Sequence, residues 1–153
     1  MLLELINNAS CKKKKMSYRH LDHSTDAIIE VTAPDLTSAF EVAGMSVVET
    51  IIDSSKIDER DKRTISVTGQ DLRFLLYNWL EEVIILTITD GFAIKKITAK
   101  IGKNDVYRIE AQVFGEDIDI TKHEFKVEIK SPTFHEMDIQ QGKEIKLRYL
   151  LDL

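Results

Sequence analysis

Leu72, Leu75, Leu76, Trp79, Leu80 and Val83 recur at i, i+3, i+4, i+7, i+8 and i+11. Only the 3.6-residue period of an α-helix brings six such residues onto one side. A stripe this long must be buried against another layer. The rest of the chain limits what that layer can be, because most of it reads as strand. Ile29, Val31 and Ala33 alternate with Ile28, Glu30 and Thr32, and Ile65 and Val67 alternate with threonines and a serine. The same period of two recurs at Ile97–Ile101, Tyr107–Val113, Phe125–Ile129 and Ile145–Tyr149. Alternation means one wet and one buried face, the habit of antiparallel sheets.

A second helix precedes the first stripe. Leu36, Phe40, Ala43, Val47 and Ile51 form its apolar face, and Asp35 is placed to cap it by accepting a backbone N–H. Gly69-Gln70-Asp71 opens the Trp79 helix. The charged run 56–63 reads as a loop, and the β-branched run Ile84–Ile88 fits either helix or strand. The expected fold is therefore α+β, in two layers. One mainly antiparallel sheet of about six strands carries two amphipathic helices on one face.

Length and charge narrow the class. The chain of 153 residues is one domain's worth and can bury a core without staples. The single cysteine, Cys11, has no partner for an internal disulfide, which favours a reducing, cytoplasmic setting. No apolar run approaches the roughly 20 residues of a membrane span. Residues 1–15 hold four lysines and one glutamate, and their order is the reverse of a signal peptide's. They read as a flexible extension before a domain at 16–153. That extension carries +3 of a total of −5, so the domain itself stands at −8. A body this acidic repels phosphates and argues against direct nonspecific RNA binding, while suiting metal cations or a basic partner.

The densest polar run is Tyr18-Arg19-His20-Leu21-Asp22-His23-Ser24-Thr25-Asp26. His20, His23 and Asp26 could ligate zinc, but with no Cys pair or His-x-x-x-His elsewhere the signal is weak, and local turn and cap hydrogen bonds explain them better. A hard cation needs oxygen ligands from separate segments. Asp22 and Asp26 supply one segment, and Leu150-Leu151-Asp152-Leu153 could supply the other. There Asp152 and the carboxylate of Leu153 would set two negative groups side by side, a cost that a cation offsets. Lys122-His123-Glu124 and Phe134-His135-Glu136 are further clusters that could hold a base, since histidine titrates near neutrality. Asp117, Asp119 and the acids of 53–61 read as solvated loops. No glycine-rich phosphate loop, HExxH or nucleophile context is present.

Beyond these readings, residues 18–153 resemble the archease family. Tyr18-x-x-Leu21-Asp22-His23-Ser24-Thr25-Asp26 looks like its N-terminal signature, with Thr25 where the family usually has alanine. Leu36–Glu41 and Asp71–Glu82 are similar to its two helices. Lys122-His123, Val127–Lys130 and Thr133–Met137 resemble a further run, and Asp152-Leu153 its aspartate-aliphatic end. The resemblance implies a protein cofactor rather than an enzyme. Its partner would be an RtcB-type RNA ligase, which joins RNA halves in tRNA splicing. The cofactor promotes guanylylation of that ligase by GTP, supports multiple turnover and can broaden nucleotide use.

The resemblance also implies a divalent cation, calcium first and magnesium or manganese as alternatives, held by Asp26, Asp152 and Leu153. Asp22, His23, Lys122, His123 and Lys130 are then candidates for supporting that site or contacting the partner. RNA would be reached only through the ligase, with no membrane role and an open oligomeric state. Two other classes remain at this level. One is a metal-dependent phosphoesterase or nuclease using Asp22, Asp26 and Asp152. The other is a metal-free interaction or chaperone-like module.

Overall fold

The computed structural model describes residues 2–6, 15–21 and 25–153. In chain order the described elements are β1 (Leu2–Ile6), β2 (Lys15–Leu21), β3 (Asp26–Ala33), α1 (Leu36–Ile51) and β4 (Asp61–Gly69). They continue with α2 (Leu72–Ile84), β5 (Phe92–Lys103), β6 (Tyr107–Asp117), β7 (Ser131–Gln141) and β8 (Ile145–Asp152). The fold is α+β, with antiparallel strands and two helices, as the alternation and the stripes predict. Its strands divide between two sheets. Five run in the order β1-β2-β3-β8-β7 and three in the order β4-β6-β5.

Both helices start where an aspartate can cap them. Asp35 accepts the Ser38 N–H at 2.8 Å and Asp71 accepts the Phe74 N–H at 2.9 Å, each satisfying an orphan donor of the first turn. The α2 stripe is buried as expected, from Leu75 to Val83. In α1, burial extends well beyond one stripe and takes in Val42, Gly44, Ser46 and Val48. A helix buried on several sides has layers on several sides. α1 meets β2, β3 and β8 of the larger sheet, β5 of the smaller, and α2. The helix pair thus packs against both sheets instead of lying on one face of one sheet.

Close packing at that junction depends on Gly44. A Cβ there would stand 2.7 Å from Ile97 Cδ1 and 2.9 Å from Trp79 Cζ2. The indole cannot give way easily, since its Nε1–H donates to the Phe40 carbonyl at 2.8 Å. Gly115 does the same for strand pairing, where a Cβ would meet the Ala93 carbonyl. β5 bulges against β6 at that point, between Ile94 and Lys96.

Several boundaries depart from the sequence pattern. Phe125–Ile129 alternates but makes no ladder. A single bridge links Phe125 to Ile52, and Phe125 is half exposed. The segment instead serves the end of α1, with Lys126 N–H on the Ile51 carbonyl at 2.7 Å and Lys126 Nζ on the Glu49 carbonyl at 2.8 Å. Cationic donors suit that negative helix end. The strand stands later, as β7, whose pairing with β8 slips between Thr133 and Asp138. Asp61–Arg63 belongs to β4, not to the preceding loop, and Ile85–Thr89 is a wide π-type turn that prolongs α2. Within the expected extension, Leu2–Ile6 runs antiparallel to β2. No described helix is long and apolar enough to cross a membrane.

Candidate functional site

The site grows from the register of β3 and β8. Ala27, Ile29 and Val31 of β3 point into the core, as do Leu147, Tyr149 and Leu151 of β8. Asp26 and Asp152, on the other parity, share the outer face with Glu30 and Arg148. The two aspartates are directly opposite each other across the two strands. Directly opposed side chains in an antiparallel pair stand about 4.5–5.5 Å apart at Cβ, and like charges there destabilise the sheet. β7 completes the row. Ser131 stands opposite Asp152 on its other side, and the Lys130 N–H donates to the Asp152 carbonyl at 2.8 Å.

The neighbours hold this row in place. Leu151 is fully buried and Leu153 packs against the core, so the segment carrying Asp152 is docked. Ile28 and Leu150, next on the outer face and opposite each other, are buried too. At the same end of the sheet His20 Nε2 lies 3.5 Å from Thr50 Oγ1 in the last turn of α1. Its imidazole edge faces the Tyr18 ring, with centroids 6.0 Å apart. Burial holds the His20 imidazole below the usual histidine range, with nearby positive charge adding to the effect. A neutral ring of this kind suits a contact that ties β2 to the end of α1.

Asp26, Asp152 and Leu153 are thus brought together from the two ends of the domain. Asp22 and His23 lie outside the described residues. Among the described residues, no group of three or more His, Cys, Asp or Glu side chains is gathered in metal-ligating fashion. The donors in the row are all oxygens: two carboxylates, a serine hydroxyl and the main chain at Leu153. Such a set suits a hard cation, which takes oxygen ligands, better than zinc, whose sites draw mainly on cysteine and histidine.

Lys122 and His123 are collected elsewhere, around Glu116 at the end of β6. One oxygen of Glu116, Oε2, accepts from Lys122 Nζ at 2.8 Å, from the Asp58 N–H at 2.8 Å and from His123 Nε2 at 2.9 Å. His123 Nδ1 accepts the Asp119 N–H at 2.9 Å, so the ring proton sits on Nε2 and is donated to Glu116. The Lys122 hydrogen bond, then the Asp58 N–H and the His123 donor, push the Glu116 carboxyl down to about 2. Lys122 also reaches Asp58 Oδ2 at 2.7 Å. This cluster ties β6 to the loops at 58 and 119–123. His123 is buried with both nitrogens engaged, which makes it a strut and not an exposed base. Lys130 is exposed and joins the site through its backbone.

Sequence reasoning missed Ser131 and Glu116. Ser131 carries no local signal beyond preceding Pro132. Glu116 adjoins Asp117, which reads as solvated loop.

Comparison with known proteins agrees with this architecture. The model of the Archease protein family matches residues 18–153. A protein archease of Pyrobaculum islandicum is 36% identical over 143 residues, covering 92% of this chain and 97% of its own length. One from Pyrococcus abyssi is 33% identical over 125 residues, covering 81% and 88%. The solution structure of Methanobacterium thermoautotrophicum protein 1598 superposes with a TM-score of 0.77 at 32% identity, over 89% of this chain and 98% of that one. The matched span begins at Tyr18 and takes in both aspartates of the row, and with it the chain belongs to the archease family.

Proposed function

We propose that this chain is a cytoplasmic protein cofactor of an RtcB-type tRNA-splicing RNA ligase, acting with a divalent cation held by Asp26, Asp152 and Leu153. One observation carries the reading: two carboxylates from opposite ends of the domain are register partners on the outer face of a sheet. A cation bound there offsets the repulsion between them. The row lies at a strand end, so it forms an acidic tip on a rigid support. Such a tip can enter the metal- and nucleotide-binding cleft of a partner and hold positive charge against the α-phosphate of GTP, where negative charge develops during attack. The chain itself performs no chemistry in this scheme. It orders metal and charge for the ligase, with residues 16–153 as the working domain and 1–15 as an extension to it.

Two measurements test the reading. Calcium must raise the melting temperature, because a ligand that binds only the folded state stabilises it, by about 2.7 kcal/mol at a hundredfold excess over Kd. The purified chain, added to the ligase with GTP and each of calcium, magnesium and manganese, increases guanylylated ligase. An unchanged melt with all three ions speaks for a metal-free module. Hydrolysis of RNA or nucleotide by the chain alone speaks for a phosphoesterase.

A further inference from the structure

The three-stranded sheet keeps one face on the helices and leaves the other bare. Ile65, Ile97, Ala99, Ile109, Ala111 and Val113 are buried on the inner face. The outward positions of the same strands carry Lys62, Lys96, Lys100, Arg108, Glu110 and Phe114. Five of these are exposed, and Phe114 is half-buried. The register arranges them in cross-strand rows. Lys62 and Lys96 flank Phe114 from the two sides, Lys100 stands opposite Glu110, and Thr68 and Gly102 flank Arg108. Thr64 and Thr98 flank Gln112 in the row between. Lys96 Nζ lies 5.8 Å from the Phe114 ring centroid.

This face reverses the sign of the molecule. The chain as a whole carries −5, whereas here four cations face one carboxylate. Glu81 and Glu82 of α2 stand beside Ser66 and Thr68, so the cationic strip is bounded at β4 and runs along β5 and β6. Lys96 and Lys100 are about 13 Å apart along β5, and three strands span about 10 Å. The chemistry of the face selects among anionic partners. Protein interfaces bury an apolar core, and this face offers only Phe114. Beside the Glu110 carboxylate, its other outward groups are cations, hydroxyls and an amide, and these donors suit phosphate and sugar oxygens. An open antiparallel sheet face with an outward aromatic suits a single strand with splayed bases better than a duplex, which is read through its grooves.

We propose that this face binds a single strand of RNA along β5 and β6, with phosphates on Lys62, Lys96, Lys100 and Arg108 and a base against Phe114. The inference goes beyond the ligase reading and needs neither the ligase nor a metal. It revises the expectation, drawn from total charge, that direct RNA binding is disfavoured: segregation of the charge, which a sum hides, creates a site on an acidic body.

The experiment is fluorescence anisotropy of a labelled single-stranded RNA about 12 nucleotides long with the full chain, at several salt concentrations. Binding is expected at low salt. The variant Lys62→Glu/Lys100→Glu/Arg108→Glu should lose about tenfold or more in affinity, and the slope of log K on log salt should shrink by about 2. If its melt shows that it does not fold, the corresponding triple alanine variant replaces it, with a several-fold loss expected. Calcium should stabilise the folded variant as it does the wild type, so failure here is separable from failure of the metal reading. Absence of wild-type binding, or equal binding by the variant, overturns the proposal. So does displacement of the RNA by an equal concentration of a glutamate-rich peptide, which assigns the face to an acidic protein.

Discussion

Glu116 is the residue whose environment departs furthest from what its neighbours in sequence suggest. Three donors converge on one of its oxygens, and two come from side chains that reach back from the 122–123 turn. Folding therefore lowers its carboxyl from an ordinary value of 4.5 to about 2. The sign follows by linkage. The contribution is complete above the ordinary value and is lost as pH falls from 4.5 towards 2. A Glu116→Gln variant is expected to melt below the wild type at pH 7. Its melting temperature should fall less steeply than the wild type's between those pH values. Parallel melting curves across that interval would show that the carboxylate contributes nothing. Gly44 makes the second residue-scale prediction. Gly44→Ala gains helix propensity but pushes a methyl into Ile97 and the fixed Trp79 ring. A net loss of about 1–2 kcal/mol is expected as a lower urea midpoint with unchanged m-value.

At the scale of elements, what the sequence reveals depends on whether local pattern and tertiary role agree. α2 is readable because its stripe, its cap and its burial all point the same way. Asp71→Ala should cost about 1 kcal/mol, measured by denaturant unfolding, through loss of the Phe74 N–H acceptor. β7 is hard to read for a physical reason. Its ladder slips between Thr133 and Asp138, and Glu136 adopts φ 59°, so the alternation breaks mid-strand. The irregular stretch packs on α2, with the Phe134 ring stacked 4.5 Å from Tyr77 and tilted against Phe74 at 5.0 Å. Phe125–Ile129 is the converse, since it alternates yet spends its backbone groups on the end of α1. β2 escapes notice because its polar residues read as a site. Tyr18 is buried while Arg19 pairs with Glu30 at 2.7 Å on the outer face. The division into two sheets is also invisible to periodicity. Alternation reports that a face is buried, not which layer buries it.

At the scale of the molecule, the candidate site belongs to topology. Asp26 and Asp152 are 126 positions apart in the sequence. Family resemblance names them, but no local pattern states that β3 and β8 are neighbours. Pairing those strands at the middle of the five-stranded sheet makes the two aspartates opposite and gives them a rigid base. The same architecture separates the acidic tip from the basic face of the smaller sheet. A chain of net negative charge can thereby offer a cation site and an anion-binding surface on different sheets.

The most direct test of the account is guanylylation of the RtcB-type ligase by GTP, measured with wild-type chain and with Asp26→Asn and Asp152→Asn variants. Asparagine keeps the shape and removes the charge. Each variant is predicted to fold and to melt cooperatively in the absence of metal, since the amide fills the same space. Neither variant is predicted to gain stability with calcium or to stimulate the ligase. Stimulation equal to the wild type's by either variant would contradict the central claim that the Asp26–Asp152 pair is the working tip.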